Sequence, residues 1–272
     1  MNKVFWAVLI GGAALAGGGA ALVGSGNDDD GGSGDAVTGS GGVGDVADLI
    51  TFELIVEAAP WAKKSPLLNT EAKRQVFLAD LRKAARYIGI HSKEGIAMFV
   101  GQLAWESGSF WYSQERMTDA EAEQKYGYKT RRGRNLGNTK PGDGRRFKGR
   151  GFIQLTGRYN YEKAGKALNL DLVNNPGLAE RAENRARVSA WYYKESRKLK
   201  RKPNGYKVHS WDNLNDRIQS HGKGLLTDED FRQVTMGILG DDKENPKTKH
   251  LFHRTDRAKK ALRYLLGQTI TS

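Results

Sequence analysis

Gly149-Arg150-Gly151-Phe152-Ile153-Gln154-Leu155-Thr156-Gly157-Arg158-Tyr159-Asn160-Tyr161 gathers four polar side chains, Gln154, Thr156, Asn160 and Tyr161, into one short segment. In a strand, Gln154 and Thr156 share a face, because strand side chains alternate. Such a face can hydrogen-bond sugar hydroxyls or hold a water. The glycines permit close backbone approach. The same pattern also suits a tight structural turn with a polar surface.

Upstream lies Ala104-Trp105-Glu106-Ser107-Gly108, with Phe110, Trp111 and Tyr112 just beyond. Sugar rings have flat apolar faces, so Trp105 and Tyr112 are candidate glycan contacts. Glu106 falls at the end of an expected helix that Ser92 caps and that buries Ile96, Phe99, Val100 and Leu103. The negative end of a helix dipole and apolar neighbours both disfavour a charged carboxylate, which suits a general acid. A surface glutamate ending a helix is the plainer alternative.

The rest of the body reads as mostly helical. Asn69 or Thr70 precedes a pattern of Val76, Phe77, Leu81, Ala84, Ala85 and Ile88. Asn175-Pro176 opens a helix running through Leu178, Ala182 and Ala186 to Trp191, with Pro at an early position. Thr227 starts another before Phe231, Val234 and Ile238, and Thr255 a last one with Ala258, Ala261, Leu262 and Leu265. Residues 111–150 are polar, basic and Gly-rich, which predicts long loops with a short hairpin.

The front end differs in character. Val4 to Val23 carry no ionisable side chain, Lys3 precedes them and Asp28-Asp29-Asp30 follow. About 20 apolar residues span a bilayer, and the flanking charges leave the body exported. A retained anchor competes with a cleaved signal peptide, for which Ala14-Leu15-Ala16 supplies a site. The run is diluted by Gly11, Gly12 and Gly17 to Gly19. It resembles the signal-arrest-release segments of some phage endolysins. The expected division is therefore a membrane segment over residues 1–23, a Gly/Ser/Asp-rich flexible linker over 24–48 and a catalytic body over 49–272.

The chain has 272 residues, no cysteine and a formal net charge of +13. Cysteine nucleophiles, disulfides and thiolate metal sites are excluded. Residues 1–50 hold Lys3 and six Asp, so their balance of −5 leaves +18 on the remainder. Such a body is drawn to polyanions. The five histidines show no metal spacing beyond the His250 and His253 pair, which a helix surface explains better than a metal site does. No metal and no cofactor are expected.

The stretch Gln102 to Phe110, then Gly142-Asp143-Gly144 and the Gly149 to Tyr161 block, together resemble glycoside hydrolase family 19. The likeness is to its phage endolysin branch and the related plant-type chitinases, and it covers about Ile88 to Trp191. It implies a mainly α fold (α+β with a minor β-hairpin), lysozyme-like and two-lobed, with a deep cleft. It implies inverting hydrolysis of a β-1,4 bond beside an N-acetylated sugar. Glu106 matches the catalytic acid, Thr156 the hydroxyl that helps hold the attacking water, and Gln154 and Asn160 substrate contacts. Tyr161 joins them as a substrate-contact candidate.

Inversion needs a second carboxylate, roughly 6.5–9.5 Å from the first, to activate water. Glu115, nine residues after Glu106, is the choice, with Arg116 to keep it ionised. Glu121 and Glu123 are the alternatives, and a loop salt bridge is the plainer reading of Glu115. One departure stands out: Met236 and Leu239 occupy the places where relatives carry Arg and Asn.

The expected activity is a peptidoglycan hydrolase of phage type, cutting between N-acetylmuramic acid and N-acetylglucosamine during infection or host lysis. Its expected partners are glycan strands and, through the N-terminal segment, a membrane; nucleic acid is not expected. The body would face the periplasm from the host inner membrane, or sit on the membrane of a lipid-containing virion. A chitinase, a lytic transglycosylase and a catalytically dead wall-binding scaffold are the alternatives.

Overall fold

The computed structural model describes residues 45–195 and 249–267. The expected membrane segment, residues 24–44 of the expected linker, the helix after Thr227 and the Met236 and Leu239 positions lie outside these residues. No helix among the described residues is long and apolar enough to cross a membrane.

Residues 45–48, assigned by sequence to the linker, belong to the folded body. Asp45 caps a 3-10 turn over Val46–Leu49 by accepting from the Ala47 N–H, and Ala47 is fully buried. Arg86 holds both Asp45 and Asp48.

The helices are α1 (Phe52–Ala58), α2 (Glu71–Ile88), α3 (Lys93–Glu106), α4 (Asp119–Tyr126), α5 (Arg131–Asn135), α6 (Asp143–Arg146), α7 (Arg158–Leu168), α8 (Arg185–Glu195) and α9 (Lys249–Leu265). The architecture is mainly helical and lysozyme-like. The expected hairpin reduces to two isolated bridges, Gln114 with Arg150 and Arg150 with Leu155.

Capping explains most boundaries. Thr70 and Ser92 cap α2 and α3 as the sequence predicts. Gly89 ends α2 in the left-handed region at φ 83°. Val76, expected in the core, is 41% exposed. The expected loops of residues 111–150 are organised by three short helices. Thr118 and Glu121 close a capping box on α4, and Thr130 caps α5.

The expected helix from Pro176 to Trp191 is broken. Pro176–Glu180 is a 3-10 turn, and α8 starts afresh at Arg185. The Asp80 carboxylate, buried on α2, takes the Ala186 N–H at 2.6 Å and so fixes the new start. Thr255 does not open the last helix either, since α9 already begins at Lys249.

Two main cores result. The larger joins α1, α2, α3 and α9 with Phe110, Phe152 and Ile153. The second holds Phe147, Leu155, Tyr161 and Leu168 with Val188 and Trp191 of α8. Each fully buried Leu, Ile or Phe stabilises by about 1.5–3 kcal/mol. The Gly149 to Gly157 segment runs along the seam: Ile153 belongs to one core and Leu155 to the other. Gln154 stands between them.

Helix α3 is the centre of the larger core, buried at every residue from Glu94 to Glu106. Helix α9 crosses it antiparallel. Lys93 donates to the Leu265 carbonyl at one end, and Arg254 meets Glu106 at the other. Gly101 sets the spacing, because a Cβ there would lie 2.7–2.8 Å from the Ala258 backbone.

Candidate active site

A helix buried on all sides must find partners for its polar side chains. Gln102 and Glu106 find Arg254. Its Nη1 donates to Gln102 Oε1 at 2.7 Å, and its Nη2 lies 2.5 Å from Glu106 Oε1. The second contact is off the hydrogen-bond axis, and among the described residues neither carboxylate oxygen of Glu106 accepts a geometrically sound hydrogen bond. The pair is therefore chiefly coulombic. Both side chains are buried, with that of Glu106 wholly closed to solvent in this conformation.

Arg254 was not singled out by sequence, yet a signal exists. It falls in phase with Ala258, Ala261, Leu262 and Leu265, a cation on the apolar face of its helix.

Trp105 is not an open sugar platform. His253 stacks on its ring at 5.1 Å with 5° between the planes, and the Arg257 guanidinium lies 5.7 Å from the ring centre. Only 8% of Trp105 is exposed. Tyr112 stays half-buried, against Gly108 and below the Arg116 guanidinium.

After Glu106 the backbone takes three consecutive left-handed residues, Gly108 (φ 60°), Ser109 (64°) and Phe110 (61°). Ser65 Oγ donates to the Phe110 carbonyl, and Arg257 donates to Ser109 Oγ at 3.0 Å. The coil drops Phe110 onto Phe152, ring centres 5.2 Å apart. That contact joins the two sequence blocks. Gly151 N–H to Ser113 O and Glu115 N–H to Gly149 O, both 2.8 Å, extend the junction.

Glu115 thereby lies beside the Gly149 block. Tyr126 donates to both its oxygens, at 2.8 and 3.1 Å, and Lys125 pairs with Oε1 at 2.9 Å. Arg116, the expected counter-ion, turns to Tyr112 instead. The pairing with Glu115 and burial push the Tyr126 hydroxyl well above its ordinary value, burial contributing most. Both alternative carboxylates have structural duties. Glu121 closes the α4 cap, and Glu123 accepts the Gly142 and Arg145 N–H groups.

Gln154 is not in a strand. It is left-handed at φ 58°, and its amide and its Nε2 both donate to the Gly151 carbonyl. Its Oε1 is buried with no hydrogen-bond partner among the described residues. A Cβ on residue 149 would lie 2.9 Å from that oxygen and 3.2 Å from Glu115 Cβ. Glycine at 149 is thus what lets Gln154 and Glu115 both pack against this backbone position. Thr156 Oγ1 donates to the Gln154 carbonyl at 2.7 Å, which leaves its lone pairs to accept. Asn160, half-buried, donates to the Thr156 carbonyl.

Tyr161 does not face a ligand. It is fully buried, and its hydroxyl donates to the Lys148 carbonyl and accepts from Arg150. Burial pushes it up to about 12. Its neighbour Tyr159 is 40% exposed. Asp143 is also structural. Burial opposes its charge, but the Arg158 fork and the Lys140 and Thr139 N–H groups prevail and hold it below the ordinary carboxylate range. Among the described residues no group of three or more His, Asp or Glu side chains is placed to hold a metal ion.

The family described as chitinase class I, glycoside hydrolase family 19, matches residues 86–223. An endochitinase of Arabidopsis thaliana is 32% identical over 124 residues, 45% of this chain and 40% of that protein. An acidic endochitinase of Petunia hybrida is 37% identical over 102 residues, 37% of this chain and 35% of that one. The chain thus spans about 40% of the length of the curated relatives it matches. Chitinase C from Streptomyces griseus HUT6037 shares the fold at TM-score 0.54 and 20% identity, covering 85% of this chain and 80% of that one. A bacterial family 19 chitinase does so at TM-score 0.53 and 20% identity, covering 81% and 96%.

The fold and the matched motifs define a family of glycan-cleaving enzymes. This chain belongs to glycoside hydrolase family 19. The matched span holds Glu106, Glu115, Gln154 and Thr156, while Arg254 lies beyond it.

Proposed function

We propose that the protein is a glycoside hydrolase that cuts the β-1,4 bond of peptidoglycan with inversion. The observation that carries the reading is the junction of the two blocks. A buried carboxyl on α3 and a carboxylate held by Lys125 and Tyr126 stand on segments fastened through Phe110 and Phe152. Once glycan binding parts Glu106 from Arg254, its carboxyl takes up a proton and gives it to the leaving glycosidic oxygen. Glu115 takes one from water, and Thr156 Oγ1, whose own proton goes to the Gln154 carbonyl, accepts the water's other hydrogen and so orients it. Net, one water is added across the bond. Because Glu106 is closed to solvent in this conformation, glycan binding must open the α3–α9 seam.

The preference for peptidoglycan rests on the strongly basic body and on the apolar run at residues 4–23, which suits export towards a wall. A role in phage infection or host lysis, with the body tethered outside a membrane, belongs to the same proposal. Chitin hydrolysis is the second reading, favoured by the relatives being named chitinases. Digests of purified peptidoglycan and of chitin oligomers decide between them. The proposal expects new reducing ends on peptidoglycan, with the initial product anomer inverted. Cleavage of chitin alone, or a retained anomer, would overturn it.

A further inference from the structure

Helices α5 and α6 both seat on the C-terminal end of α4. A Cβ on Gly133 would lie 2.0 Å from the Gly127 carbonyl oxygen, and one on Gly144 2.7 Å from the Gly127 nitrogen. The two glycines therefore draw two cation-rich segments to one place. From Gly127 to Phe147 the single acid is Asp143, and it is consumed by Arg158. Arg131, Arg134, Lys140 and Arg145 are exposed, and none forms an ion pair among the described residues.

This cluster adjoins the proposed base. Tyr126, the last residue of α4, donates to Glu115, and the Arg132 guanidinium lies 5.1 Å from the Tyr126 ring centre. A strand engaged at Glu115 would thus have unpaired positive charge beside it. Chitin is uncharged and gains nothing from such a surface. Peptidoglycan carries stem-peptide carboxylates at regular intervals, and arginine forks suit carboxylates.

We infer that the α5–α6 surface is a docking site for the stem-peptide carboxylates of peptidoglycan, flanking the cleavage site. The inference rests on the proposed function and names the feature of the substrate that the protein selects. Charge supplies capture and orientation here rather than catalysis, and the effect is screened by salt.

The test uses the full chain carrying Glu106→Gln, so that the wall stays intact, with and without Arg131→Glu, Arg134→Glu and Lys140→Glu. Binding to purified peptidoglycan freed of phosphate polymers is measured at low and at high salt. The triple reversal should weaken low-salt binding by about tenfold or more, with the difference vanishing at high salt. In the Glu106 background the reversal should leave the melting temperature and chitin-oligomer turnover as they were. Unchanged wall binding overturns the inference. So does a loss confined to double-stranded DNA or to a phosphate polymer, or an equal loss on neutral chitin. If the unreversed protein binds peptidoglycan through this surface but the active chain does not cut it, the docking site stands and the proposed function fails.

Discussion

Replacing Arg254 by Met leaves the Glu106 carboxylate in the α3–α9 seam without its cation. The change also removes the donor to Gln102 Oε1. Methionine keeps most of the side-chain volume, so the loss is electrical rather than a cavity. Breaking a buried ion pair on one side costs about 3–5 kcal/mol. For a body of this size each kcal/mol lowers the melting temperature by about 2–4 °C, so the drop should be about 6–20 °C. Glu106→Gln combined with Arg254→Met removes both charges, and much of that loss should return. The assay is a double-mutant cycle in urea at neutral pH, followed by circular dichroism. A coupling energy of about 2 kcal/mol or more is expected. Additive single effects would refute the claim that Arg254 compensates Glu106.

Other perturbations test separate parts of the site. Tyr126→Phe removes a hydroxyl that donates to both Glu115 oxygens; turnover should fall about tenfold, as a charged hydrogen bond of ~1.5–3 kcal/mol allows, with KM little changed in steady-state assays. Gly149→Ala sets a Cβ against Gln154 Oε1 and Glu115 Cβ, and should lower turnover while leaving the melting temperature within a few degrees. Gly101→Val drives a branched side chain into the Ala258 backbone and should cost about 1–3 kcal/mol in denaturant titration. Asp80 gives a pH test. Burial pushes its carboxyl from 3.8 up to about 7, against the Ala186 and Arg187 N–H groups and the Arg187 and Arg185 cations. The folded chain then keeps a proton that the unfolded chain has released, so this contribution is full below ~4 and lost as pH rises through about 7. Asp80→Asn should flatten that decline in melts taken across the window; an unchanged slope would contradict it.

The helices that sequence reads well are those with a cap and a one-sided apolar face. Thr70 and Ser92 mark two such starts because their hydroxyls accept a backbone N–H three residues on. The start of helix α8 carries no local signal because it is set from outside, by Asp80 on another helix. Residues 111–150 looked like loops because α5 and α6 are too short to show a period. Their order comes from glycines seated on Gly127, a contact that no local pattern announces.

The same contrast holds at the site. Motif likeness is what proposes Glu106 and Thr156, and the structure adds the partners around them. Tyr161 sat in the right motif, but the helical register turns it into the second core. Trp105 shared the aromatic signal of a sugar platform, yet His253 stacks against its ring from a helix far away in sequence. Lys125 and Tyr126 were missed as the holders of Glu115, since a ten-residue separation carries no signal until α4 folds back.

The central claim is that Glu106 is the acid that cleaves a wall glycan. Release of reducing ends from purified peptidoglycan, compared between the wild-type chain and Glu106→Gln, tests it most directly. A general acid contributes about 10²–10⁴-fold, so the variant should lose activity by that factor while still binding the polymer. A Glu106→Gln chain that releases reducing ends at the wild-type rate would contradict the account.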